Sequence, residues 1–524
     1  MSTSNTNVKQ RRFTASTVIV VSLLLTLGLG LRLAGLGREG FWFDEIFSAS
    51  YTNLSLFETV VACLRFDVHP PLYYLQLNAW SLFGHSDIWL MLNSVMWGMA
   101  TLVLIFIVTM HRFDVSAGLI ALAFCAVMGS EVYFANELRM YALLSFLMVL
   151  SWIAADRVLE DYRFRTSLPL ILLLIIIGGL HSFGIIAVSA VLLYVIPFDS
   201  WQKIRRVLPT WFGIAFIVGL TLVPWMVNAS LRHVSHLGAA SFSEIAYTVS
   251  GWILGYRAIT LAEWIQTAVA LLVALILGVA MLLAPQLRRM IACFIIWPLL
   301  LAALICIFWK PIWLFRPFAF CAPFLSIAIG ALFGQLIAGE QRASQISIRG
   351  ACVTFITGAL MGTGWLTCQQ IVTPWKTQFR EAAGYLRERV QAGDIVYIPD
   401  NVVFWGVARY LVGPQWGSLL KVQDPLNPDH STVWPGVYRR LGSRTLELLH
   451  LEPETRRLDG FKTPLYIGWS PLPELRYARV IWIVGMARAP FDFHLKDVEL
   501  CPYSHFESAN FTELRVFRIT CNAG

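Results

Sequence analysis

The sequence predicts an α-helical polytopic membrane protein that carries a smaller α/β domain at its C-terminal end. Of its 524 residues, 57% are hydrophobic and 14% are charged, whereas soluble proteins carry about 25% charged residues. Apolar runs of about 20 residues recur up to Val372, and a helix of that length crosses about 30 Å of hydrocarbon. The composition changes after Val372, so we predict a membrane domain over residues 1–373 and a second domain over residues 374–524.

Eleven apolar runs predict eleven membrane-spanning helices. The first run is too long for a secretory signal and lacks a small-residue cleavage site, so we expect a retained helix. The fifth and sixth runs are short, and a Gly-Gly-Leu-His-Ser connection separates them. The predicted spans cover residues 13–33, 88–110, 115–130, 141–155, 168–180, 184–196, 208–227, 262–284, 291–309, 317–338 and 350–372.

The net charge of +8 comes largely from Lys and Arg clusters in short loops between the apolar runs. Such clusters mark the cytoplasmic side of a membrane protein, so topology explains them better than a nucleic-acid-binding surface does. With the N-terminus in the cytoplasm, fourteen Lys and Arg fall on the inner side and seven on the outer side. An odd number of spans then places the C-terminal domain outside the cytoplasm.

The C-terminal domain is predicted to mix helices with short strands. No GxGxxG or P-loop sequence is present, so nothing indicates a nucleotide site. Cys501 and Cys521 both fall in this domain, where they either pair in an oxidising compartment or stay as two free thiols. The predicted helices cover residues 375–392 and 403–411, and the predicted strands cover residues 395–398, 464–469, 480–484 and 514–519.

Charged side chains avoid the middles of nearly all predicted spans and gather at their outer ends. Ion-coupled transporters place acids or bases within the bilayer, so this distribution favours chemistry at the outer interface over passage through the membrane. The outer polar residues are Arg32, Asp44, Glu45, Arg65, Asp67, His69, Glu137, Arg139, His181 and Arg316.

Asp44 and Glu45 stand beside an aromatic block, Phe41-Trp42-Phe43, just past the first span. Aromatic walls exclude water and raise the pKa of a carboxylic acid, which suits a general base that takes a proton from a hydroxyl. Adjacent side chains point in different directions, so we expect Asp44 to face the acceptor and Glu45 to bind a metal or position a neighbour. The alternative is a helix N-cap with an acid in the first turn.

Asp67 and His69 precede two prolines. The prolines restrict His69 to extended geometry and suit the start of a helix, which we predict over residues 72–83. His69 either hydrogen-bonds a substrate or satisfies a backbone carbonyl in a turn.

Glu137 and Arg139 lie at the outer mouth of the third and fourth spans. They are two residues apart, so they do not face each other on a helix. Arg139 could pair with Asp44, and the alternative is an ordinary loop salt bridge.

Arg316 opens the tenth span at its outer end, and Lys310 lies nearby in the sequence. A guanidinium group at the hydrocarbon edge binds a lipid phosphate well, because it offers two parallel hydrogen bonds. The alternative is a side chain that snorkels to ordinary lipid head groups.

Together these motifs resemble those of the GT-C membrane glycosyltransferases. They are most similar to the bacterial family 39-like group, which is related to the protein O-mannosyltransferases and to the lipid A aminoarabinose transferase. The likeness is best up to residue 150 and extends more generally over the helical region. It is carried by residues 42–45, 67–73, 137–142 and 316–317.

The resemblance implies an inverting transfer, in one displacement, of a sugar from a polyprenyl-phosphate-linked donor to a hydroxyl of a glycolipid, a polysaccharide or a protein. It implies that Asp44 is the catalytic aspartate, that Glu45 lies close by, and that Arg316 holds the donor phosphate. It also implies a place in the bacterial inner membrane, where the isoprenoid tail stays in the bilayer. The residues expected to bind substrate are Asp67, His69, Tyr73, Glu137, Arg139, Tyr141, Lys310 and Arg316.

Some relatives of this kind are metal-assisted, so a divalent cation held by Asp44, Glu45 and His69 stays open, although their spacing matches no recognised metal motif. A lipid-linked glycan transporter or permease is the alternative function. It would need a basic central cavity and internal repeats, and the sequence indicates neither. A structural scaffold would leave the clustered outer acids unexplained.

Overall fold

The computed structural model describes most of the membrane part and selected segments of the C-terminal part. The described residues are 14–230, 237–256, 261–338, 343–398, 400–414, 423–424, 427–431, 438–440, 446–448, 457–458, 461–463, 465–467, 478–487 and 503–521.

The membrane part is a bundle of apolar helices joined by short connections. Three shorter helices, α2 to α4, lie between the first two long ones. The helices are α1 Ala15–Ala34, α2 Phe43–Ser50, α3 Leu56–Phe66, α4 Leu72–Ser81, α5 Asp87–Arg112, α6 Val115–Val127, α7 Gly129–Ala135, α8 Tyr141–Glu160, α9 Phe164–Leu180, α10 Gly184–Tyr194, α11 Trp201–Ser230, α12 Phe242–Leu254, α13 Glu263–Leu283, α14 Arg288–Ile291, α15 Trp297–Phe308, α16 Cys321–Ala338 and α17 Ala343–Val372.

Polar side chains fix where several of these helices begin. Ser55 and Glu58 form a reciprocal capping box at the start of α3, which satisfies two backbone N–H groups that have no partner within the helix. Ser86 caps α5 and Asp114 caps α6, and each does so through one side-chain oxygen that accepts a backbone N–H of the first turn. Short polar stops between apolar runs therefore set the boundaries of the bundle.

All eleven predicted spans are helical, but fewer of them are long enough to cross a membrane. In the described residues eight helices are long and apolar enough to cross a membrane, and the number is nine if α6 and α7 form one broken span. The short helices α9 and α10 do not pass, because the 11 residues of α10 rise only about 17 Å. Among the described residues, α9 and α10 are therefore apolar but shorter than a typical span, and the chain is a multi-pass membrane protein.

Helices α6 and α7 meet at an angle of 59°. A side chain on Gly129, the first residue of α7, would place its Cβ 2.5 Å from the backbone nitrogen of Gly255. Glycine is therefore required where the bent chain passes close to the end of α12. The bend directs α7 towards the loop that carries Glu137.

The bend frees backbone carbonyls that water does not reach. Inside a membrane such groups need partners within the protein. The fully buried Arg32 of α1 and two side chains of α17 supply them. Arg32 donates to the carbonyls of Cys125 and Ala126 at 3.4 and 3.2 Å, Thr367 to that of Val127 at 2.7 Å, and Gln370 to that of Gly129 at 3.2 Å.

Arg32→Met is expected to destabilise the protein by about 1–3 kcal/mol, because it leaves buried carbonyls without donors. The measurement is thermal unfolding of the purified variant in detergent. Arg157→Met, which replaces an exposed arginine of α8, is the matched control and should unfold like the wild type. Equal unfolding temperatures for the two variants would contradict this role of Arg32.

The C-terminal part is α/β, as predicted. Six of its strands form one sheet in the order β6-β7-β1-β8-β10-β9, in which β1 runs parallel to β7 and β8. The predicted strands at residues 395–398, 480–484 and 514–519 are confirmed, and the described residues 465–467 of the one predicted at 464–469 form β7. The predicted helices correspond to α18 and α19. The elements are α18 Phe379–Arg389, β1 Ile395–Ile398, α19 Asn401–Leu411, β2 Gln423–Asp424, β3 Asn427–Ser431, β4 Tyr438–Arg440, β5 Leu446–Leu448, β6 Arg457–Leu458, β7 Leu465–Ile467, β8 Val480–Met486, β9 Tyr503–Phe511 and β10 Leu514–Cys521.

Cys521, at the end of β10, is disulfide-bonded. This agrees with the alternative in which the cysteines of this part of the chain pair, and Cys501 lies outside the described residues. The boundary at residues 373 and 374 stays a prediction.

Helix α19 packs directly on α2. The rings of Phe47 and Trp405 stack with their centroids 6.0 Å apart. The hydroxyl of Tyr410 accepts a hydrogen bond from the backbone N–H of Phe41 at 2.6 Å and donates one to Asp87 at 2.7 Å. The helix that carries Asp44 therefore lies between the membrane bundle and the C-terminal part.

Candidate active site

Helix α2 begins directly after Trp42, and the two acids of its first turn point to different partners. The carboxylate of Glu45 accepts a hydrogen bond from the backbone N–H of Trp42 at 3.2 Å. The alternative interpretation of this pair, a helix N-terminus with an acid in its first turn, is therefore correct for the local backbone and for Glu45. Asp44 faces another direction and is partly exposed, as expected for neighbouring positions.

Asp44 forms an ion pair with Arg316. Its Oδ2 lies 2.7 Å from a guanidinium nitrogen of Arg316, although the two residues are 272 positions apart. Their side chains are 28% and 17% exposed, so a substrate group has access to the pair. The guanidinium group also lies 4.3 Å from the ring centre of Trp42, which restricts its orientation.

Glu137 is a second carboxylate beside the same guanidinium group. Its Oε1 lies 3.9 Å from Arg316, and its side chain is fully buried. Burial raises the pKa of Glu137 to about 7, and the charge of Arg316 opposes that shift. Among the described residues neither of its carboxylate oxygens has a hydrogen-bond partner. The arrangement is one cation facing two acids in different environments.

Arg139 is buried and contacts helix α2. A guanidinium nitrogen donates to Oγ of Ser48 at 3.1 Å and to the backbone carbonyl of Asp44 at 3.4 Å. The expectation that Arg139 pairs with the Asp44 carboxylate is therefore wrong, because Arg316 occupies that position. Arg139 binds the backbone of α2 instead.

Asp67 organises the turn that presents His69. Its two oxygens accept hydrogen bonds from the Tyr51 hydroxyl at 3.0 Å and from the backbone N–H of His69 at 2.8 Å. Burial raises the pKa of Asp67, while these hydrogen bonds lower it. Because Asp67 is almost fully buried, these contacts give it a structural part in shaping the turn.

His69 lies against a second histidine that the predicted site did not include. The ring centres of His69 and His181 are 4.3 Å apart, and Nδ1 of His69 lies 3.3 Å from Oγ of Ser182. Burial lowers the pKa of His181 to about 3, so that ring is neutral at physiological pH. His69 itself is partly exposed and stays a candidate for substrate binding.

The remaining candidates differ in their surroundings. Tyr73 and Tyr141 are buried, and the ring of Tyr141 lies 5.7 Å from that of His181. Lys310 lies 5.0 Å from the ring centre of the exposed Trp309. Its predicted part in phosphate binding stays a prediction.

Lys376 is a charged residue of this region that the sequence did not reveal. Its Nζ lies 2.7 and 2.8 Å from the two oxygens of Glu45, whose Oε1 also accepts the backbone N–H of Leu138 at 2.9 Å. Both side chains are buried. Burial raises the pKa of Glu45, and the Lys376 charge opposes that rise. Glu45 is therefore held by structural contacts and has no exposed surface for a substrate.

The proposed metal ligands do not converge. Glu45 faces Lys376, whereas His69 faces His181 and Ser182. Within the part of the chain that the structure describes, no group of three or more His, Cys, Asp or Glu residues is arranged to hold a metal ion. The set of Asp44, Glu45 and His69 therefore does not fit a divalent cation.

Solved structures share this fold. ArnT from Cupriavidus metallidurans bound to undecaprenyl phosphate matches with a TM-score of 0.53 and 12% identity, over 97% of this chain and 98% of that chain. The apo state of this ArnT matches with a TM-score of 0.49 and 13% identity, over 75% of this chain and 85% of that chain. The archaeal oligosaccharyltransferase AglB from Archaeoglobus fulgidus matches with a TM-score of 0.42 and 12% identity, over 75% of this chain and 63% of that chain. That structure is a complex with an inhibitory peptide and a dolichol-phosphate. No protein-family model and no curated protein matches the sequence.

The match to ArnT extends over nearly the whole length of both chains. The chain therefore has the fold of this ArnT structure, which agrees with the GT-C resemblance of its motifs.

Proposed function

We propose that this chain is an inverting glycosyltransferase that moves a sugar from a polyprenyl-phosphate-linked donor to a hydroxyl acceptor. The acceptor belongs to a glycolipid, a polysaccharide or a protein. The reaction takes place at the periplasmic face of a bacterial inner membrane, with the N-terminus in the cytoplasm.

The observation that carries the proposal is the partly exposed ion pair of Asp44 and Arg316. It combines a carboxylate that takes a proton with a guanidinium group that binds a phosphate. Helix α2, which carries Asp44, packs on α19 of the C-terminal part through the stacked rings of Phe47 and Trp405. An isoprenoid tail reaches such a position from the bilayer without entering water.

The chemistry follows from these two groups. Asp44 takes the proton of the acceptor hydroxyl, and the acceptor oxygen bonds to the anomeric carbon of the sugar. The bond between that carbon and the phosphate oxygen breaks, and the polyprenyl phosphate leaves with the electron pair. Arg316 stabilises the charge that develops on the phosphate. One displacement inverts the anomeric configuration.

Donor binding also prepares the base. Without substrate, the Asp44 carboxylate is occupied by Arg316 at 2.7 Å. A donor phosphate competes for the same guanidinium group and releases Asp44 to the acceptor. The buried Glu137 stays beside Arg316 during this exchange, because its Oε1 lies 3.9 Å from the same guanidinium nitrogen.

The test combines cells and purified protein. Mass spectrometry of lipids and glycans, with and without the gene, should show one glycosyl unit that depends on the protein. Purified protein in lipid nanodiscs, supplied with polyprenyl-phosphate sugars and the acceptor so identified, should release polyprenyl phosphate. A transporter would move the lipid-linked sugar and leave its phosphate bond intact. Unchanged glycans together with no released polyprenyl phosphate would overturn the proposal.

A further inference from the structure

We infer that Lys376 is a positioning residue of this site, which holds the start of helix α2, with Asp44, and the loop of Glu137 in place from the C-terminal part. The inference rests on the proposed function, because it gives Lys376 a part in the same reaction. Lys376 follows the last membrane helix by only a few residues, so the chain outside the bundle completes the site.

The Lys376 ammonium group joins three chain segments. It contacts both oxygens of Glu45 at 2.7 and 2.8 Å and donates to the backbone carbonyl of Asn136 at 3.1 Å. The same Glu45 carboxylate accepts the backbone N–H groups of Trp42 and Leu138 at 3.2 and 2.9 Å. One buried ion pair therefore binds residues 42–45, residues 136–138 and residue 376 to one another.

The two acids that face Arg316 lie inside these segments. Asp44 stands between Trp42 and Glu45, and both of those residues take part in the network around Lys376. Glu137 stands directly between the two bonded residues of the second segment, positions 136 and 138. The network therefore fixes the backbone on both sides of each acid and sets their separation from Arg316.

Lys376 is itself held firmly. Its backbone N–H and that of Trp375 both donate to Oε1 of Glu39, at 2.8 and 2.6 Å. The ring of Trp375 lies 5.7 Å from that of Trp42. The backbone of Lys376 is thus attached to the loop that follows the first span, which keeps its side chain within reach of Glu45.

Stability alone is a poor explanation for such a pair. Burying two charges costs solvation free energy that their attraction often only offsets, and neutral replacements of both partners are frequently tolerated. Removing one partner leaves a buried charge and is strongly destabilising. A variant that neutralises both residues therefore separates a positioning role from a role in folding.

The experiment compares Lys376→Met, Lys376→Arg and the double variant Glu45→Gln/Lys376→Met in the nanodisc transfer assay. The double variant should reach the membrane and unfold at a temperature close to that of the wild type. Its kcat should nevertheless fall about 100-fold, the effect of displacing catalytic groups by about 1 Å. Its KM for the donor should stay unchanged, because Arg316 is intact. Lys376→Arg keeps the charge and should recover part of kcat over Lys376→Met.

Arg380→Met is the matched control. Arg380 also ties the C-terminal part to the end of the first span, through the carbonyls of Gly37 and Arg38, but Glu45 is outside those contacts. Its kcat should equal that of the wild type. A double variant with wild-type kcat, or an equal loss in Arg380→Met, would overturn the inference and leave the proposed function standing. A wild-type protein without transfer would overturn both.

Discussion

Asp44→Asn is expected to lower kcat by about 10²–10⁴, the usual contribution of a general base. The amide keeps the size of the side chain and still accepts a hydrogen bond from Arg316. It does not take a proton from the acceptor hydroxyl. The measurement is release of polyprenyl phosphate in the nanodisc assay, at saturating donor and acceptor.

The donor dependence of this variant distinguishes a lost base from a damaged site. In the wild type Arg316 is paired with Asp44 at 2.7 Å, so the donor phosphate competes with a carboxylate. An amide competes less, and the donor KM of Asp44→Asn should therefore be equal to or lower than that of the wild type. A rise in donor KM would indicate that Asp44 helps to bind the donor.

Asp161→Asn is the control for this substitution. Asp161 lies at the end of α8 in a solvent-exposed ion pair with Arg163, and such pairs contribute about 0–1 kcal/mol. Its variant should transfer sugar like the wild type. Wild-type kcat in Asp44→Asn, with normal membrane insertion, would remove Asp44 from the mechanism.

The sequence was sufficient to predict the elements that local pattern determines. Long apolar runs identified the helices, because crossing hydrocarbon requires a fixed length of apolar chain. Short apolar runs between polar turns identified the strands β1, β7, β8 and β10. The placement of Asp44 and Arg316 on one side of the bundle was also predictable from the position of each beside the outer end of a span, but their direct ion pair was not.

The contacts that depend on distant packing were not predictable. Lys376 meets Glu45 across 331 positions, and its sequence neighbours look like the ordinary start of a surface helix. Arg139 lies closer to Asp44 in sequence than Arg316 does, yet the fold turns it towards Ser48. The signal for Arg32 was a charge near the end of an apolar helix. Its partners, the carbonyls freed by the α6–α7 bend, have no sequence pattern.

Glu45 illustrates why both interpretations of the Asp44–Glu45 pair, as active-site acids and as acids of a helix N-terminus, were useful. Its aromatic surroundings do exclude water, and burial raises its pKa as expected for such a place. The exclusion is complete, however, so Glu45 serves as a helix cap and as the partner of Lys376. The more exposed Asp44, one position earlier, is left for the substrate. Burial that is too deep removes a carboxylate from chemistry with a bulky acceptor.

Arg316→Ala is expected to lower kcat/KM for the donor by about 10²–10³, the usual effect of removing one group that stabilises a developing charge. The acceptor KM should stay close to the wild-type value, because Asp44 remains and no longer has a competing partner. The kcat/KM of Arg316→Lys for the donor should lie between those of the wild type and Arg316→Ala. Lysine keeps the charge but loses the planar guanidinium group and its contact with the ring of Trp42. The measurement is initial rate against donor concentration, then against acceptor concentration.

The contrast between donor and acceptor kinetics in this variant would distinguish a phosphate-binding Arg316 from a lipid-facing anchor. An anchor that contacts ordinary head groups would affect insertion or stability and would weaken both substrates alike. Arg163→Ala removes a side chain that is 83% exposed and is the matched arginine control. It should leave the KM values for the donor and the acceptor unchanged. Loss of Arg316 also leaves the buried Glu137 without its nearby cation, so its pKa should rise further and the acid should stay protonated. The remaining defect would then be specific to the donor phosphate, and an unchanged donor dependence would show that this phosphate is bound elsewhere.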